Sequence, residues 1–190
     1  MKTVIIDYNA GNTQSVIYAL QRLGIQPVLS ADAETIAGAD RVIFPGVGAA
    51  AFAMNELKKR NLDSVIPSLT NPVLGICLGM QIMCNYSEEG DTKCLGIFDL
   101  QVFKFRNQTI KVPHMGWNIT KSTQAELNDE YFYFVHSFYA PIGPNTLATC
   151  DYGEPFSAAL QKNNFTGVQF HPEKSAVAGE RLLKWFLEGN

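Results

Sequence analysis

The segment best suited to chemistry reads Asn71-Pro72-Val73-Leu74-Gly75-Ile76-Cys77-Leu78-Gly79-Met80-Gln81. An apolar run meets a helix-forming run at a cysteine, with a glycine two residues to either side. This is the pattern of a nucleophile elbow with sulfur in place of oxygen. The turn is sharp, and side chains at the flanking positions would collide with neighbouring backbone, so glycine is needed there. A helix starting at Leu78 would set its positive end against Cys77 and favour the thiolate. Its free N–H groups could also hold a developing oxyanion. Burial as an inert side chain is the commoner fate of a cysteine; the Gly-x-Cys-x-Gly context is what sets Cys77 apart. Cys84, Cys94 and Cys150 lack that context and read as packing. Residues 78–84 read as one helix, which would bring Cys84 onto the face of Cys77.

A cysteine nucleophile needs a base, itself held by a third group. The chain has three histidines. His171 stands in Gln169-Phe170-His171-Pro172-Glu173-Lys174-Ser175, directly after the apolar run 167–170. Pro172 stiffens the turn that follows, and Glu173 can return to the imidazole and fix its tautomer. His114, behind Pro113, reads as a loop or strand-edge histidine. His136, closing the aromatic run 131–135, reads as a structural residue near the site.

Pro45-Gly46-Val47-Gly48 follows another apolar run. Gly46 and Gly48 let backbone approach a ligand closely, and the N–H groups of Val47 and Leu78 are candidates for an oxyanion hole. The same glycines would permit a peptide flip that completes the hole only when a partner is loaded. On its own this segment is an ordinary turn. Gln81, one helical turn after Cys77, would project toward the cleft, where it can recognise an amide or a carboxylate.

The elements that must position these residues alternate. Residues 4–8, 27–29, 41–44 and 72–76 read as strands. Residues 12–23, 49–59 and 61–69 read as helices, the first bearing Val16, Ile17, Leu20 and Leu23 on one face and ended by Gly24. Alternation of this kind implies a parallel sheet with helices on both faces, whose sites gather at the carboxyl ends of the strands. The loops after Tyr8, Phe44 and Ile76 lie at such ends. The middle changes character. Residues 100–105, 112–120 and 131–135 are β-branched and aromatic and are separated by turn residues, which predicts an antiparallel or mixed β extension. Residues 147–150, 158–161 and 167–170 read as further strands and 177–187 as a closing helix. The expected fold is α/β: flavodoxin-like, doubly wound, mostly parallel, with that β extension, in a single domain spanning residues 1–190.

Composition excludes several classes. Of 190 residues, 46% are apolar and 17% charged, enough to build a core and unlike a disordered chain. The net charge is −3, and Lys58-Lys59-Arg60 is the densest basic run, so no nucleic-acid footprint is expected. The apolar run behind Met1-Lys2 is too short for a secretory core, and no stretch approaches a membrane span. A cytoplasmic, reducing location is therefore expected. The four cysteines are not spaced like a zinc site or a disulfide framework, so no metal or cofactor is expected.

Gly75-Ile76-Cys77-Leu78-Gly79-Met80-Gln81 together with His171-Pro172-Glu173 resembles the class I (triad) glutamine amidotransferases over essentially the whole chain. Met80-Gln81 differs from the His-Gln or Asn-Gln endings usual in anthranilate and carbamoyl-phosphate synthesis. Pro113-His114-Met115-Gly116-Trp117-Asn118, His171-Pro172-Glu173-Lys174-Ser175, Asp7-Tyr8-Asn9-Ala10-Gly11-Asn12 and Pro45-Gly46-Val47-Gly48 are similar to the glutaminase subunits of imidazole glycerol phosphate synthase. The resemblance implies a Cys77–His171–Glu173 triad that hydrolyses glutamine to glutamate and ammonia. It implies an oxyanion region at Gly46, Val47, Gly48 and Leu78, and glutamine binding by Gln81 with the backbone of Ser137 and Phe138. It also implies a separate (β/α)8-barrel cyclase subunit that takes the ammonia and makes imidazole glycerol phosphate and an aminoimidazole carboxamide ribotide. Asn12, Met115, Trp117, Tyr133 and Lys174 match positions that face the cyclase.

Three rival readings stand beside this one. They are a glutaminase subunit of another synthase, a non-catalytic regulatory protein on the same fold, and a cysteine hydrolase acting on a peptide or another amide. Met80 and Trp117 argue against the first, the intact triad against the second, and Gln81 against the third.

Overall fold

The computed structural model describes residues 1–189. The first half alternates strand and helix as the sequence predicts. It runs β1 (Thr3–Ile6), α1 (Thr13–Arg22), β2 (Val28–Ser30), α2 (Ala33–Ala37), β3 (Arg41–Gly46), α3 (Ala50–Lys59), α4 (Leu62–Ser68), β4 (Val73–Cys77) and α5 (Leu78–Ile82). Then follow β5 (Cys84–Ser87), β6 (Thr92–Lys93), β7 (Phe98–Lys104), β8 (His114–Ser122), β9 (Tyr131–His136) and β10 (Phe138–Tyr139). The chain closes with β11 (Thr146–Asp151), β12 (Pro155–Lys162), β13 (Phe165–Val168) and α6 (Ala176–Glu188).

Nine strands form one sheet in the order β2-β1-β3-β4-β13-β12-β11-β8-β9. The first five are mutually parallel and the last four join by antiparallel ladders. This is the flavodoxin-like strand order with an antiparallel extension. A second sheet, β10-β7-β5-β6, is small and mixed.

The central parallel strands β1, β3 and β4 are largely apolar because both of their faces are covered, while β2 at the edge is exposed. Val4 and Ile6 of β1 enter one core cluster with Phe44, Leu57 and Ile66. Ile5 points the other way, to a second cluster with Ile43, Leu74, Leu20 of α1 and Leu182 of α6. Burying one such aliphatic side chain contributes about 1.5–3 kcal/mol. Asn12 starts α1, its side chain accepting the Ser15 N–H at 3.4 Å.

The structure corrects one sequence expectation here. The helix after Cys77 stops at Ile82, and Cys84 opens β5, so Cys84 does not share a helical face with Cys77. The run that continues past Ile82 is apolar and reads equally as helix or strand; its pairing with β7 selects strand. His114 opens β8 opposite His136 of β9, outside the β8–β11 pairing, so it is a strand-edge residue as the sequence suggests, yet it is buried. One helix and three short strands went unread: α2, about one turn long and started by Asp32, and β5, β6 and β10 of the small sheet.

Candidate active site

Cys77 sits where β4 ends and α5 begins, with φ 53° and ψ −108°. Such a backbone is costly for a non-glycine residue and persists only where surrounding structure holds it. The surroundings explain the glycines. A Cβ at Gly75 would meet Met83 Sδ at 2.9 Å and the Met80 backbone nitrogen at 3.0 Å. A Cβ at Gly79 would run into the carbonyl oxygen of Phe44, and one at Gly46 would come within 2.6 Å of the Gly79 nitrogen. Packing of β3, β4 and α5 at these distances is what aims the thiol outward. In the β3–β4 ladder Gly46 lies directly opposite Cys77, so the segment Val47–Gly48 leaves the sheet beside the sulfur.

β13 runs parallel to β4 with Val168 beside Ile76, and the chain emerging from it carries Gln169, Phe170 and His171 to the same strand end. The His171 N–H donates to the Tyr133 carbonyl at 2.9 Å. Ser175 Oγ donates to the His171 carbonyl at 2.6 Å while accepting the Tyr133 N–H at 2.9 Å. The imidazole Nδ1 is 2.8 Å from Glu173 Oε1, and both side chains are 2% exposed. His171 Nε2 is buried with no partner of its own. Burial opposes a charge on His171, but the Cys77 sulfur and the Glu173 carboxylate outweigh it and push its pKa up to about 10. The site therefore favours the imidazolium form of His171.

Cys77 and His171 line one cleft of about 250 Å³ with Val47, Gly48, Leu78, Gln81, Glu89 and the stretch 135–138. Every residue the sequence assigned to the triad, the oxyanion region and the glutamine pocket borders this cleft or adjoins a residue that does. Gln81 is more committed than expected. Its Nε2 donates to the Phe138 carbonyl at 2.8 Å and to Gln169 Oε1 at 2.9 Å. With both hydrogens used, Gln81 can offer a ligand only an acceptor, so it suits an ammonium and not a carboxylate.

Four residues that sequence reasoning left out or set aside belong to this neighbourhood. Glu89 is the one carboxylate lining the cleft, and its Oε2 accepts the Ala50 N–H at 2.8 Å at the start of α3. The buried Tyr8 hydroxyl donates to the Pro45 carbonyl at 2.7 Å and so tethers the segment that carries Val47. His136 lines the cleft, and His114 stands 3.0 Å behind it. No sequence signal marks Glu89, which sits in a polar turn.

The other thiols are chemically quiet. Burial pushes those of Cys94 and Cys150 up to about 12 and that of Cys84 higher still. The residues expected to face a partner gather on an adjacent rim. Trp117 pairs with Tyr133 across the β8–β9 ladder, with ring centroids 6.1 Å apart. Met115 and Trp117 are 62% and 52% exposed, large values for such side chains. Lys174 is exposed in the short 3-10 turn Pro172–Lys174, and Asn12 borders a small recess with Val47 and Glu173. Among the described residues no group of histidine, cysteine and carboxylates is arranged to hold a metal, and no helix is long and apolar enough to cross a membrane.

An elbow cysteine sharing a cleft with a histidine–glutamate pair, at the ends of a parallel β2-β1-β3-β4-β13 sheet, defines a class, and comparison with known proteins agrees. The family model for glutamine amidotransferase class-I matches residues 4–189, and the chain belongs to that family. Solved structures share the fold. A crystal structure of a glutamine amidotransferase superposes with a TM-score of 0.77 at 18% identity, covering 97% of each chain. The structure of PurLQS from Thermotoga maritima does so with 0.71 at 15% identity, covering 98% of this chain and 97% of the other.

More similar in sequence is the imidazole glycerol phosphate synthase subunit HisH of Bacteroides fragilis (strain YCH46). It is 54% identical over 195 residues, covering 99% of this chain and all of the relative. The subunit of the same name from Pectobacterium atrosepticum is 51% identical over the same lengths.

Proposed function

We propose that this chain is the glutaminase subunit of imidazole glycerol phosphate synthase, acting as one domain in a cytoplasmic heterodimer. The observation that carries the reading is Cys77 at its strained elbow, opposite Gly46 and sharing a cleft with the His171–Glu173 pair. The full-length likeness to HisH subunits supports the choice among synthases.

In this reading the Cys77 thiolate attacks the side-chain carbonyl carbon of glutamine. The backbone N–H groups of Val47 and Leu78 hold the oxyanion, each donor being worth about 3–4 kcal/mol. His171 gives its proton to the departing nitrogen, ammonia leaves, and a γ-glutamyl thioester remains. His171 then takes a proton from water, whose oxygen displaces the sulfur and frees glutamate. The Glu89 carboxylate and Gln81 Oε1 receive the α-ammonium of the substrate, and the backbone of Ser137 and Phe138 receives its carboxylate. Gly48, at φ +98° with open space around it, leaves the Val47 peptide free to turn.

Ammonia protonates in bulk water and is then no nucleophile, so a shielded handover to a (β/α)8-barrel cyclase subunit is required. The rim carrying Asn12, Met115, Trp117, Tyr133 and Lys174 is the surface for it. The cyclase consumes the ammonia in making imidazole glycerol phosphate and an aminoimidazole carboxamide ribotide for histidine biosynthesis.

The test is ammonia release from glutamine, with and without the barrel subunit and its nucleotide substrate. Release that rises in the loaded complex and vanishes in Cys77→Ala is expected. Release that persists in Cys77→Ala removes the assignment, and equal rates in the isolated chain and the loaded complex remove the switch at Val47.

A further inference from the structure

A fully buried glutamine, Gln169, lies behind the cleft against both Gln81 and Cys77 and has no place in the reaction just described. Its Nε2 is 3.7 Å from Cys77 Sγ, and its Oε1 accepts from Gln81 Nε2 at 2.9 Å. Its backbone N–H is spent on the Ala158 carbonyl at 2.9 Å, so the main chain is fixed and only the side-chain amide has an orientation to choose.

That choice is made elsewhere. The Phe138 carbonyl can only accept, and Gln81 presents a terminal atom to it at 2.8 Å, so that atom is the nitrogen. The second hydrogen of the same nitrogen points at Gln169, which must answer with its oxygen. The Gln169 nitrogen is thereby turned to the sulfur. His136 Nδ1, at 2.8 Å from the same Phe138 carbonyl, must carry its hydrogen there, which anchors the acceptor that begins the chain. The sequence of donors and acceptors is unbroken from Phe138 through Gln81 and Gln169 to Cys77, and its polarity is set by one carbonyl.

We propose that Gln169 is a positioning residue for the nucleophile: its amide donates to Cys77 Sγ, stabilising the thiolate and holding it toward the substrate, and Gln81 keeps that amide from turning over. This rests on the glutaminase reading and adds to it a link between the substrate pocket and the sulfur. A neutral donor suits this place. It lowers the energy of the thiolate without competing with His171 for the proton, and an oxygen turned to the sulfur would repel the charge. Because Gln81 borders the cleft, displacement of its side chain by a ligand would be felt at Cys77 through two hydrogen bonds.

The experiment uses the full chain, and its complex with the cyclase for kinetics. Gln169→Glu keeps the shape and replaces the donor by an acceptor; Gln169→Met keeps the volume and removes the polar group. Alkylation of Cys77 by iodoacetamide is followed against pH, with peptide mass confirming the site. The alkylation midpoint should rise by about one to two pH units in both variants, the size of one hydrogen bond to a charged sulfur. On the same basis kcat should fall about ten- to a hundred-fold with KM for glutamine changed less than about threefold.

Gln81→Met, which frees the Gln169 amide to turn, should shift the midpoint in the same direction by less, and should raise KM as well. A purely structural glutamine would lower stability and leave the midpoint where it was. A folded Gln169→Met protein whose midpoint and kcat match the parent overturns the proposal, and so does an unmoved midpoint in Gln81→Met should neither Gln169 variant fold. The alkylation profile does not require turnover, so failure of the glutaminase reading, seen as no ammonia from the parent complex, is a separate result.

Discussion

His114 and His136 face each other across the β8–β9 ladder, Nδ1 of the first 3.0 Å from Nε2 of the second. The Phe138 carbonyl holds the Nδ1 hydrogen of His136, so His136 Nε2 is an acceptor and His114 must be the donor. A second proton on His136 would sit at Nε2 and break this arrangement, which braces the wall of the cleft at Ser137 and Phe138. Burial pushes the pKa of His114 down to about 4 and that of His136 to about 3.

Acid sensitivity follows from that pair. Both folded values lie below the ordinary 6.5, so at pH below 6.5 the unfolded chain binds more protons and stability falls. The loss runs from pH 6.5 to about 4 for His114 and on to about 3 for His136, at up to about 1.4 kcal/mol per pH unit for each ring. His114→Phe keeps the stack with Phe134 and Tyr152 and removes one titrating group. Urea unfolding should show a shallower decline between pH 6.5 and 4, together with a pH-independent cost of about 1–3 kcal/mol for the unpaired His136 nitrogen. An unchanged slope would show that the pair does not govern acid stability.

Glu173→Gln should keep the fold and cost activity. The introduced amide would offer a hydrogen to Nδ1 of His171 and favour the wrong tautomer, and a loss of about 10²–10⁴ in kcat is expected. His171 has a raised folded pKa, so its charge contributes stability that is complete below pH 6.5 and disappears as pH rises through about 10. In the variant that loss should be smaller and end at a lower pH. Urea midpoints followed from neutral to alkaline pH for parent and variant measure the difference, and coincident curves would deny Glu173 its share in holding the charge.

Gly79→Ala tests the elbow. The new methyl cannot coexist with the Phe44 carbonyl, so β3 and α5 must separate. The expected cost is about 1–3 kcal/mol in thermal unfolding, with slower alkylation of Cys77 because its helix N-terminus moves. Full retention of both would mean that the close approach of α5 to β3 is not needed.

Trp117→Ala and Met115→Ala separate partner binding from folding. Both side chains are more than half exposed, so monomer stability should change by less than about 0.5 kcal/mol. Cyclase affinity, measured by calorimetry, should fall at least about tenfold for Trp117, as for an aromatic anchor. Unchanged affinity in both variants would move the docking surface elsewhere.

The sequence by itself determined the parallel core and the elbow that carries Cys77. Apolar runs broken at regular intervals by helical periodicity admit few other folds, and Gly-x-Cys-x-Gly after such a run marks a turn that only glycine tolerates on both sides. His171 with Glu173 was legible for the same reason: the two act over two residues, and local chain geometry joins them. Long-range pairing was not legible. The end of α5 at Ile82 depends on β5 finding β7, and the buried role of His114 on β8 finding β9. Glu89, Tyr8 and Gln169 carry no local mark, since a carboxylate in a turn, a tyrosine after a strand and a glutamine in a strand tail are each ordinary. Their hydrogen bonds span 39, 37 and 92 residues of chain. Only the tertiary structure could bring those groups to one strand end, because a hydrogen bond's direction and partner are set by distance in space and leave no period in the sequence.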